Sequence, residues 1–284
     1  MADAMSSINQ FPKSVKRVLR NFVENTPVLA DYYYYYWLYP RNPNLYRYVF
    51  SSFSEALAAV PKGALSGYDY RDLYDSRLKD LTEVEKLKPI DYPVLVWLRN
   101  AFRDSTTVLD LGGTTGYSYY AYRHFISYPK DVSWTVCEVP KIVEVGKELL
   151  NHLPAANLSY ITDLAQAKDA EIFLCCGMLQ YFEESLVTLL KQLPAKPRYL
   201  VINHVPLYQG ETYITLQRLM MVRPQTNFVS YIPFKIQNRT QFIQDLEAYG
   251  YKLMDSWMQD RQCLIPFHPD RFVDAFHGFY FQLQ

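Results

Sequence analysis

One acid and three glycines stand close together in the segment 108–123, "VLDLGGTTGYSYYAYR". Gly112, Gly113 and Gly116 follow an apolar run typical of a strand and precede a stretch typical of a helix. A glycine turn at such a place usually holds an anionic or sugar-like ligand. No lysine follows the glycines, which excludes a P-loop, and their spacing is one residue out of register with the dinucleotide pattern GxGxxG. Asp110 would repel a diphosphate, so the turn suits a ligand that has an ammonium group and no phosphate.

Two further acids follow the next two strand candidates. Glu138, in "TVCEVP", is placed to accept hydrogen bonds from both hydroxyl groups of a ribose. Asp163, after "LSYIT", is placed to accept from an adenine amino group, or else to cap the helical turn that begins there. With Asp110, these acids outline a site for adenine, a ribose and an amino acid. S-adenosylmethionine combines those parts with a sulfonium charge, which aromatic faces can stabilise. It is the predicted cofactor.

Transfer of a methyl group from a sulfonium is an in-line displacement, so a protein mainly has to align the acceptor atom behind the methyl carbon. A hydroxyl acceptor also needs a base, and His204, at the end of the fifth strand candidate, is the predicted one. Tyr68 and Tyr181 are predicted to orient the acceptor or to wall the methyl group. Gln217 and Tyr231 are predicted to contact the acceptor. The spacing of His, Cys and acidic residues matches no metal site, so no metal is predicted.

Short apolar runs alternate with helical patterns from residue 107 onward. The strand candidates lie at 107–111, 133–139, 158–162, 171–176 and 198–204. This alternation predicts a parallel sheet that is covered on both faces. "YKLMDSWMQ" and "HGFYFQL" have no long helix between them, which predicts an antiparallel pair at one edge. The predicted fold class is α/β, with a doubly wound, mostly parallel, seven-stranded sheet of the Rossmann-like kind.

The remaining segments are predicted to cover the site. Residues 1–99 are expected to form a helical, Tyr-rich cap, and residues 100–284 the binding domain, with a lid-like insertion at 207–236. The helix in "KSVKRVLRNFVEN" is amphipathic and basic, and either docks on its own domain or lies on a membrane. The tyrosines at 32–36 have no single period, so they either pack or line the substrate cleft.

Composition excludes several classes of protein. The 284 residues include 29 basic and 29 acidic side chains, and this neutral balance argues against nucleic acid as the main partner. The 26 tyrosines indicate aromatic-lined clefts as well as core. The four cysteines show no metal-binding spacing, and no signal pattern or apolar stretch long enough for a membrane span is present. We expect a cytoplasmic protein with a small-molecule partner, and a homo-oligomer stays open.

The segment "VLDLGGTTGYSYYAYR" together with "VCEVP" resembles the first two motifs of class I S-adenosylmethionine-dependent methyltransferases. More closely, the chain from "SGYDY" to the carboxyl end resembles a bacterial methyltransferase family associated with surface-polysaccharide gene clusters. The segments that carry this resemblance are "GMLQYFEE", "INHVPL", "TLQRL", "SYIPF" and "HGFYFQ". The family tends to carry Arg-Thr-Pro where this chain has His204-Val205-Pro206.

The resemblance implies a role for each motif position. The methionine end of the cofactor is expected on the acid and glycines of the first motif, the ribose on Glu138 and the adenine on Asp163. Gly177 and Met178 are expected to pass beside the cofactor. The residues expected to bind the cofactor are Asp110, Gly112, Gly113, Thr114, Gly116, Glu138, Asp163, Gly177 and Met178.

The predicted function is methyl transfer from S-adenosylmethionine to a small acceptor, at a hydroxyl group of a sugar or related metabolite. Two alternatives stay open. A nicotinamide-dependent oxidoreductase is disfavoured by the glycine register and by Asp110. A non-catalytic interaction protein that keeps the methyltransferase fold would bind the cofactor without turning over an acceptor.

Overall fold

The computed structural model describes residues 13–42, 44–71, 87–221 and 228–284. The helices are α1 Lys13–Glu24, α2 Pro27–Tyr33, α3 Phe53–Ala58, α4 Tyr92–Ala101, α5 Tyr117–Tyr122, α6 Pro140–Leu149, α7 Leu186–Leu190 and α8 Arg239–Ala248. The strands are β1 Leu45–Phe50, β2 Leu65–Ser66, β3 Thr107–Leu111, β4 Ser133–Cys137, β5 Leu158–Ile161, β6 Ile172–Cys176, β7 Tyr199–Tyr208, β8 Tyr213–Met221, β9 Phe228–Asn238, β10 Tyr251–Gln259 and β11 Phe276–Leu283. Part of the predicted insertion, 222–227, lies outside the described residues.

Seven of these strands form the predicted doubly wound sheet, in the order β5-β4-β3-β6-β7-β11-β10. The pairings among β3, β4, β5, β6 and β7 are parallel. β11 is antiparallel both to β7 and to β10, so the predicted antiparallel pair closes one edge. The α/β fold class and the mostly parallel sheet are confirmed.

Both faces of this sheet are buried, which explains why its strands are apolar without alternation. Val108 and Ile172 belong to the cluster that packs under α4, α5 and α6. Their neighbours Leu109 and Phe173 point to the opposite face, against α7 and α8. The result is three layers, with helices on each side of the sheet. The ends of the central strands are therefore left as the place where polar side chains can meet.

A second group of strands joins the predicted cap to the predicted insertion. β8 and β9 form an antiparallel hairpin, β1 adds to the free edge of β8, and β2 pairs with β9. β9 also pairs with the end of β7, at Leu207–Tyr208. The prediction that residues 1–99 are helical missed strand β1. The sequence of this strand, "LYRYVF", is rich in residues that favour strands. The insertion is a hairpin in the described residues, and Tyr46 of β1 is buried against it.

The N-terminal helices leave much of their apolar surface exposed. Val18 and Phe22 of α1 are 66% and 64% exposed. Among the consecutive tyrosines, the hydroxyl of Tyr34 donates to the backbone carbonyl of Tyr46 and accepts from its N–H. Tyr33 stacks on the ring of Trp37, which lies in the π-helical turn after α2. These contacts are packing contacts within the cap. No helix among the described residues is long and apolar enough to span a membrane.

Candidate cofactor and acceptor site

The first residues after the central strands meet at one edge of the sheet. The backbone N–H of Gly112, after β3, donates to the carbonyl of Cys137 at the end of β4, at 2.9 Å. The N–H of Gly177, after β6, donates to the carbonyl of Asn203 in β7, at 2.8 Å. The predicted glycine turn and the predicted Gly177–Met178 position are thus neighbours, as the parallel order of the strands requires.

The glycine turn closes tightly on its neighbours. Gly112 has a φ of +74°, in the left-handed region, and a Cβ on it would lie 2.7 Å from Met178 Cβ. A Cβ on Gly113 would lie 2.5 Å from Asp110 Cγ. Both approaches are shorter than any real Cβ contact, so only glycine fits at these two positions without displacing a neighbour. The turn keeps its backbone open to a ligand and holds Asp110 beneath it.

Asp110 is fully buried within β3, and one of its oxygens lacks a partner. The indole N–H of Trp134 donates to Oδ2 at 3.2 Å, whereas Oδ1 has no hydrogen-bond partner in the described part of the chain. Burial raises the pKa of Asp110 to about 7, and the charge of Glu138 contributes to this rise, whereas the hydrogen bond from Trp134 and the nearby Ser118 hydroxyl oppose it. A buried acceptor with an open lone pair suits a ligand ammonium, as the sequence predicted.

Glu138 bridges the end of β4 and the glycine turn. Its side chain is buried, with the residue 8% exposed, and Oε1 accepts from the N–H of Thr114 at 3.2 Å. Its Oε2 accepts from the N–H of Val139 at 2.9 Å. Thr114 itself has a φ of +54°, and its buried hydroxyl has no hydrogen-bond partner among the residues that the structure describes. The carboxylate and the turn are thereby held in one arrangement, with polar groups left for a ligand.

Asp163 and Gly116 lie farther along the same edge. Asp163 is exposed and its Oδ1 accepts from the N–H of Ala165 at 2.9 Å, so it does cap a helical turn. Its charge also acts on the pKa of Cys137, which places it near the end of β4. Gly116, with a φ of +88°, faces the side chain of Leu158. Gly116 therefore serves the packing of the turn against β5.

A β-bulge in β7 directs His204. β11 contributes only Gly278 where β7 contributes both Asn203 and His204, because the register shifts between these strands. His204 has a φ of +62°, which is uncommon for a residue other than glycine. Trp257 lies over Gly278 and donates from its indole N–H to the side-chain carbonyl of Asn203 at 3.0 Å. The bulge turns the imidazole toward Gly177, where a Cβ would lie 3.3 Å from His204 Cδ2.

Both ring nitrogens of His204 are occupied, which argues against its predicted role as a base. Arg261 can only donate, so its contact with Nε2 at 2.8 Å makes Nε2 the acceptor. Nδ1 therefore carries the proton and donates to Gln259 Oε1 at 2.5 Å. Burial lowers the pKa of His204 to about 4, which keeps the ring neutral. The predicted general base is, in this arrangement, a positioned and weakly basic imidazole.

The predicted acceptor contacts divide between two faces of the β8–β9 hairpin. Tyr181 donates from its hydroxyl to Gln217 Oε1 at 2.9 Å, and its ring lies perpendicular to that of Tyr68 with centroids 4.7 Å apart. Tyr231 is paired with Arg218, the residue next to Gln217. Because neighbouring residues of a strand point to opposite faces, Tyr231 lies on the other side of the hairpin. The structure brings Tyr68, Tyr181 and Gln217 together and does not bring Tyr231 to them.

Replacing Tyr181 with phenylalanine is expected to lower the free energy of unfolding by about 1–2 kcal/mol, since Gln217 Oε1 would lose its donor in a buried place. Tyr231→Phe is the matched control, because no hydrogen bond of the Tyr231 hydroxyl is seen among the described residues. Urea denaturation measures both. Equal changes in the two variants would contradict the buried hydrogen bond.

Several residues of the site were not predicted from the sequence. Trp134 of β4 pairs with Val108 of β3, two residues before Asp110. Because side chains alternate along a strand, Trp134 and Asp110 lie on the same face of the sheet. This alternation is visible in the sequence and could have predicted their contact. Arg261 and Tyr46 come from segments far apart in the chain, and no local pattern marks them. Their approach depends on how β10, β11 and β1 pair with the rest of the sheet.

The strand order and the glycine turn after β3 define a Rossmann-like α/β domain with a ligand edge at the ends of its parallel strands. No family model matches the chain, and no curated protein matches it. Solved structures of methyltransferases do match.

Three of these structures indicate the range of the matches. The N-terminal domain of EvdMO1 with S-adenosylhomocysteine bound has 13% identity, covers 77% of this chain and 100% of its own, and has a TM-score of 0.46. The glycopeptide N-methyltransferase MtfA complexed with sinefungin has 11% identity, covers 81% and 96%, and has a TM-score of 0.47. The 1,6-didemethyltoxoflavin-N1-methyltransferase of Burkholderia thailandensis, with that compound and S-adenosylhomocysteine bound, has 14% identity, covers 83% and 92%, and has a TM-score of 0.47.

Proposed function

We propose that this protein is an S-adenosylmethionine-dependent methyltransferase acting on a small acceptor. The observation that carries the proposal is the cradle after β3, by which we mean the glycine turn together with Asp110 and Glu138. There the glycine turn is tied to Glu138 through the N–H of Thr114, above the unpaired Oδ1 of Asp110. An unpaired buried acceptor at an otherwise well-bonded edge fits a ligand that brings its own donor, such as an ammonium.

The residues of the cradle fit the parts of this cofactor. Asp110 would pair with the ammonium, and Glu138 would accept from the ribose hydroxyls. Asp163 would accept from the adenine amino group with the oxygen that does not cap the turn. The bound cofactor supplies a methyl group that is electrophilic because it is attached to a sulfonium. Met178, which packs over Gly112, would border that end of the site.

The contribution of the chain to the reaction is proposed to be alignment. Tyr181 is held by Gln217 and by the ring of Tyr68, and His204 is held by Gln259 and Arg261. Fixed side chains on the acceptor side can keep the nucleophilic atom in line with the methyl carbon and can exclude water. We propose a hydroxyl group of a sugar or related small metabolite as the acceptor.

Calorimetric titration of the purified protein with S-adenosylhomocysteine, S-adenosylmethionine and NADH tests this proposal. The adenosyl ligands are expected to bind and NADH is not. Glu138→Gln is expected to weaken the adenosyl ligands roughly thirtyfold, about 2 kcal/mol, because a charged ribose acceptor is lost. Glu148→Gln is the control, since Glu148 is an exposed acid of α6 that pairs with Arg71 and should leave binding unchanged.

Other results would point elsewhere. Binding of NADH without the adenosyl ligands would favour the oxidoreductase alternative. If no adenosyl ligand binds, the proposal is wrong. Cofactor that binds but is never consumed across a panel of sugar and small hydroxyl acceptors would favour the non-catalytic alternative.

A further inference from the structure

Arg261 is a partly buried cation without a counter-ion in the described part of the chain. One guanidinium nitrogen donates to His204 Nε2 at 2.8 Å, and the guanidinium carbon lies 5.0 Å from the ring centroid of Phe276. No carboxylate among the described residues lies within ion-pair distance of it. By contrast, Arg198 and Arg271 pair with Asp104 and Asp270.

Such a charge is unfavourable unless something compensates it. Removing a guanidinium from water costs free energy that a neutral hydrogen-bond acceptor only partly restores. His204 accepts through a lone pair and has no charge of its own, so it does not supply the missing negative charge. No negative charge among the described residues therefore compensates the charge of Arg261.

Tyr46 provides a second unsatisfied group in the same place. The residue is buried, at 2% exposure, and its hydroxyl has no oxygen or nitrogen partner among the described residues, although the thiol of Cys263, a weak acceptor, lies beside it. Burial raises the pKa of Tyr46 well above its ordinary value, as does the neighbouring Cys263, whereas the charge of Arg261 lowers it. In the described part of the chain, the Tyr46 hydroxyl thus lacks a strong acceptor and lies near a cation that lacks an anion.

These two groups lie next to the proposed acceptor side. The Tyr46 ring is 4.8 Å from that of Phe234, and the Phe234 ring is 5.5 Å from that of Tyr181. The charge of Arg261 also acts on the pKa of Tyr181. Through His204, Arg261 is connected to the turn at Gly177. The Phe234 ring is also 6.4 Å from that of Phe276, over which Arg261 lies. One cluster of aromatic rings therefore joins the cation, the unpaired hydroxyl and the predicted acceptor contacts.

We propose that Arg261 and Tyr46 bind a carboxylate group carried by the acceptor molecule. This inference rests on the proposed function, which places the acceptor beside Gly177 and Tyr181. A carboxylate carries one charge, which matches the single cation, and its two oxygens accept from a guanidinium and from a hydroxyl together. A phosphate monoester would bring a second negative charge, which the guanidinium of Arg261 alone does not balance. The substrate class is thus a small hydroxylated carboxylic acid.

The test uses three phenols that differ in the group opposite the hydroxyl, which is a carboxylate, a neutral amide or a phosphate ester. 4-Hydroxybenzoate, 4-hydroxybenzamide and 4-hydroxyphenyl phosphate are titrated into the full chain by calorimetry, with and without S-adenosylhomocysteine. The protein is expected to bind the carboxylate at least about tenfold more tightly than the amide. Arg261→Gln should abolish that preference. Tyr46→Phe keeps the ring and removes only the unpaired hydroxyl, so it should reduce carboxylate affinity about three- to fivefold in a folded protein.

Arg271→Gln is the matched control, because Arg271 is another partly buried arginine that already has a carboxylate partner, and its variant should keep the preference. Equal binding of carboxylate and amide, a preference that survives in Arg261→Gln, or no binding of the carboxylate would overturn the inference. Tighter binding of the phosphate would also overturn it. Titration with S-adenosylhomocysteine alone reports on the proposed function, so failure of that function is seen separately.

Discussion

Replacing Gly113 with alanine is expected to weaken S-adenosylhomocysteine binding by at least a hundredfold and to lower the free energy of unfolding by about 2–3 kcal/mol. The added Cβ would lie 2.5 Å from Asp110 Cγ, which is too close for any real contact. Asp110 cannot retreat, because it is fully buried and its Oδ2 accepts from Trp134. The glycine turn must shift instead, and the N–H of Thr114 then loses its alignment with Glu138.

The backbone conformation of Gly113 makes this substitution easy to interpret. Its φ is not in the left-handed region, unlike that of Gly112, so alanine adds a contact and no backbone strain. Calorimetric titration and urea denaturation measure the two effects.

Gly210→Ala is the control for overpacking. A Cβ there would lie 2.7 Å from Cε2 of the buried Tyr208 ring, again without a positive φ, but between β7 and β8. It should lower stability by a similar amount, about 2–3 kcal/mol, while the folded protein keeps its affinity within about threefold. If Gly113→Ala binds the ligand as the wild type does, the turn is not the cofactor cradle.

The second large effect is a pair of opposite pH dependences that cancel in the wild type. Burial raises the pKa of Asp110 from 3.8 to about 7, so between these values the folded protein holds a proton that the unfolded chain releases. The contribution of Asp110 to stability therefore falls as pH rises, by about 4 kcal/mol across that window. Burial lowers the pKa of His204 from 6.5 to about 4, so its contribution falls as pH drops, by about 3 kcal/mol.

Single variants should separate the two contributions. Asp110→Asn removes the first, so its unfolding free energy relative to wild type should rise by about 3–4 kcal/mol between pH 4 and pH 7. His204→Asn removes the second, and its unfolding free energy relative to wild type should fall by about 3 kcal/mol from pH 4 to pH 6.5. Asparagine tolerates the left-handed conformation of His204, so the variant adds little backbone strain.

Urea denaturation of the three proteins at intervals between pH 4 and pH 7.5 measures these profiles. Differences from the wild type are compared, so that contributions from other groups drop out. Parallel profiles would show that neither group is perturbed by burial. The ammonium of a bound cofactor should favour the ionised form of Asp110, and S-adenosylhomocysteine should then release a proton on binding near pH 6.

Local patterns in the sequence sufficed to predict the central sheet and the edge at which its glycine turn lies. Apolar runs such as "EIFLCC" are local signals, and their alternation with helices leaves few ways to cover both faces of a parallel sheet. Gly112 and Glu138 could be placed at one edge because parallel strands end on the same side. The local chemistry of those segments sufficed for this part of the site.

The make-up of the proposed acceptor side depends on tertiary structure. The role of His204 depends on a bulge opposite Gly278 and on Arg261, which follows a strand at the far edge. The face of Tyr231 depends on the register of the β8–β9 hairpin, where a shift by one residue exchanges the two sides. Pairing and register between distant segments are set by the packing of the whole chain. No local pattern in the sequence carries that information.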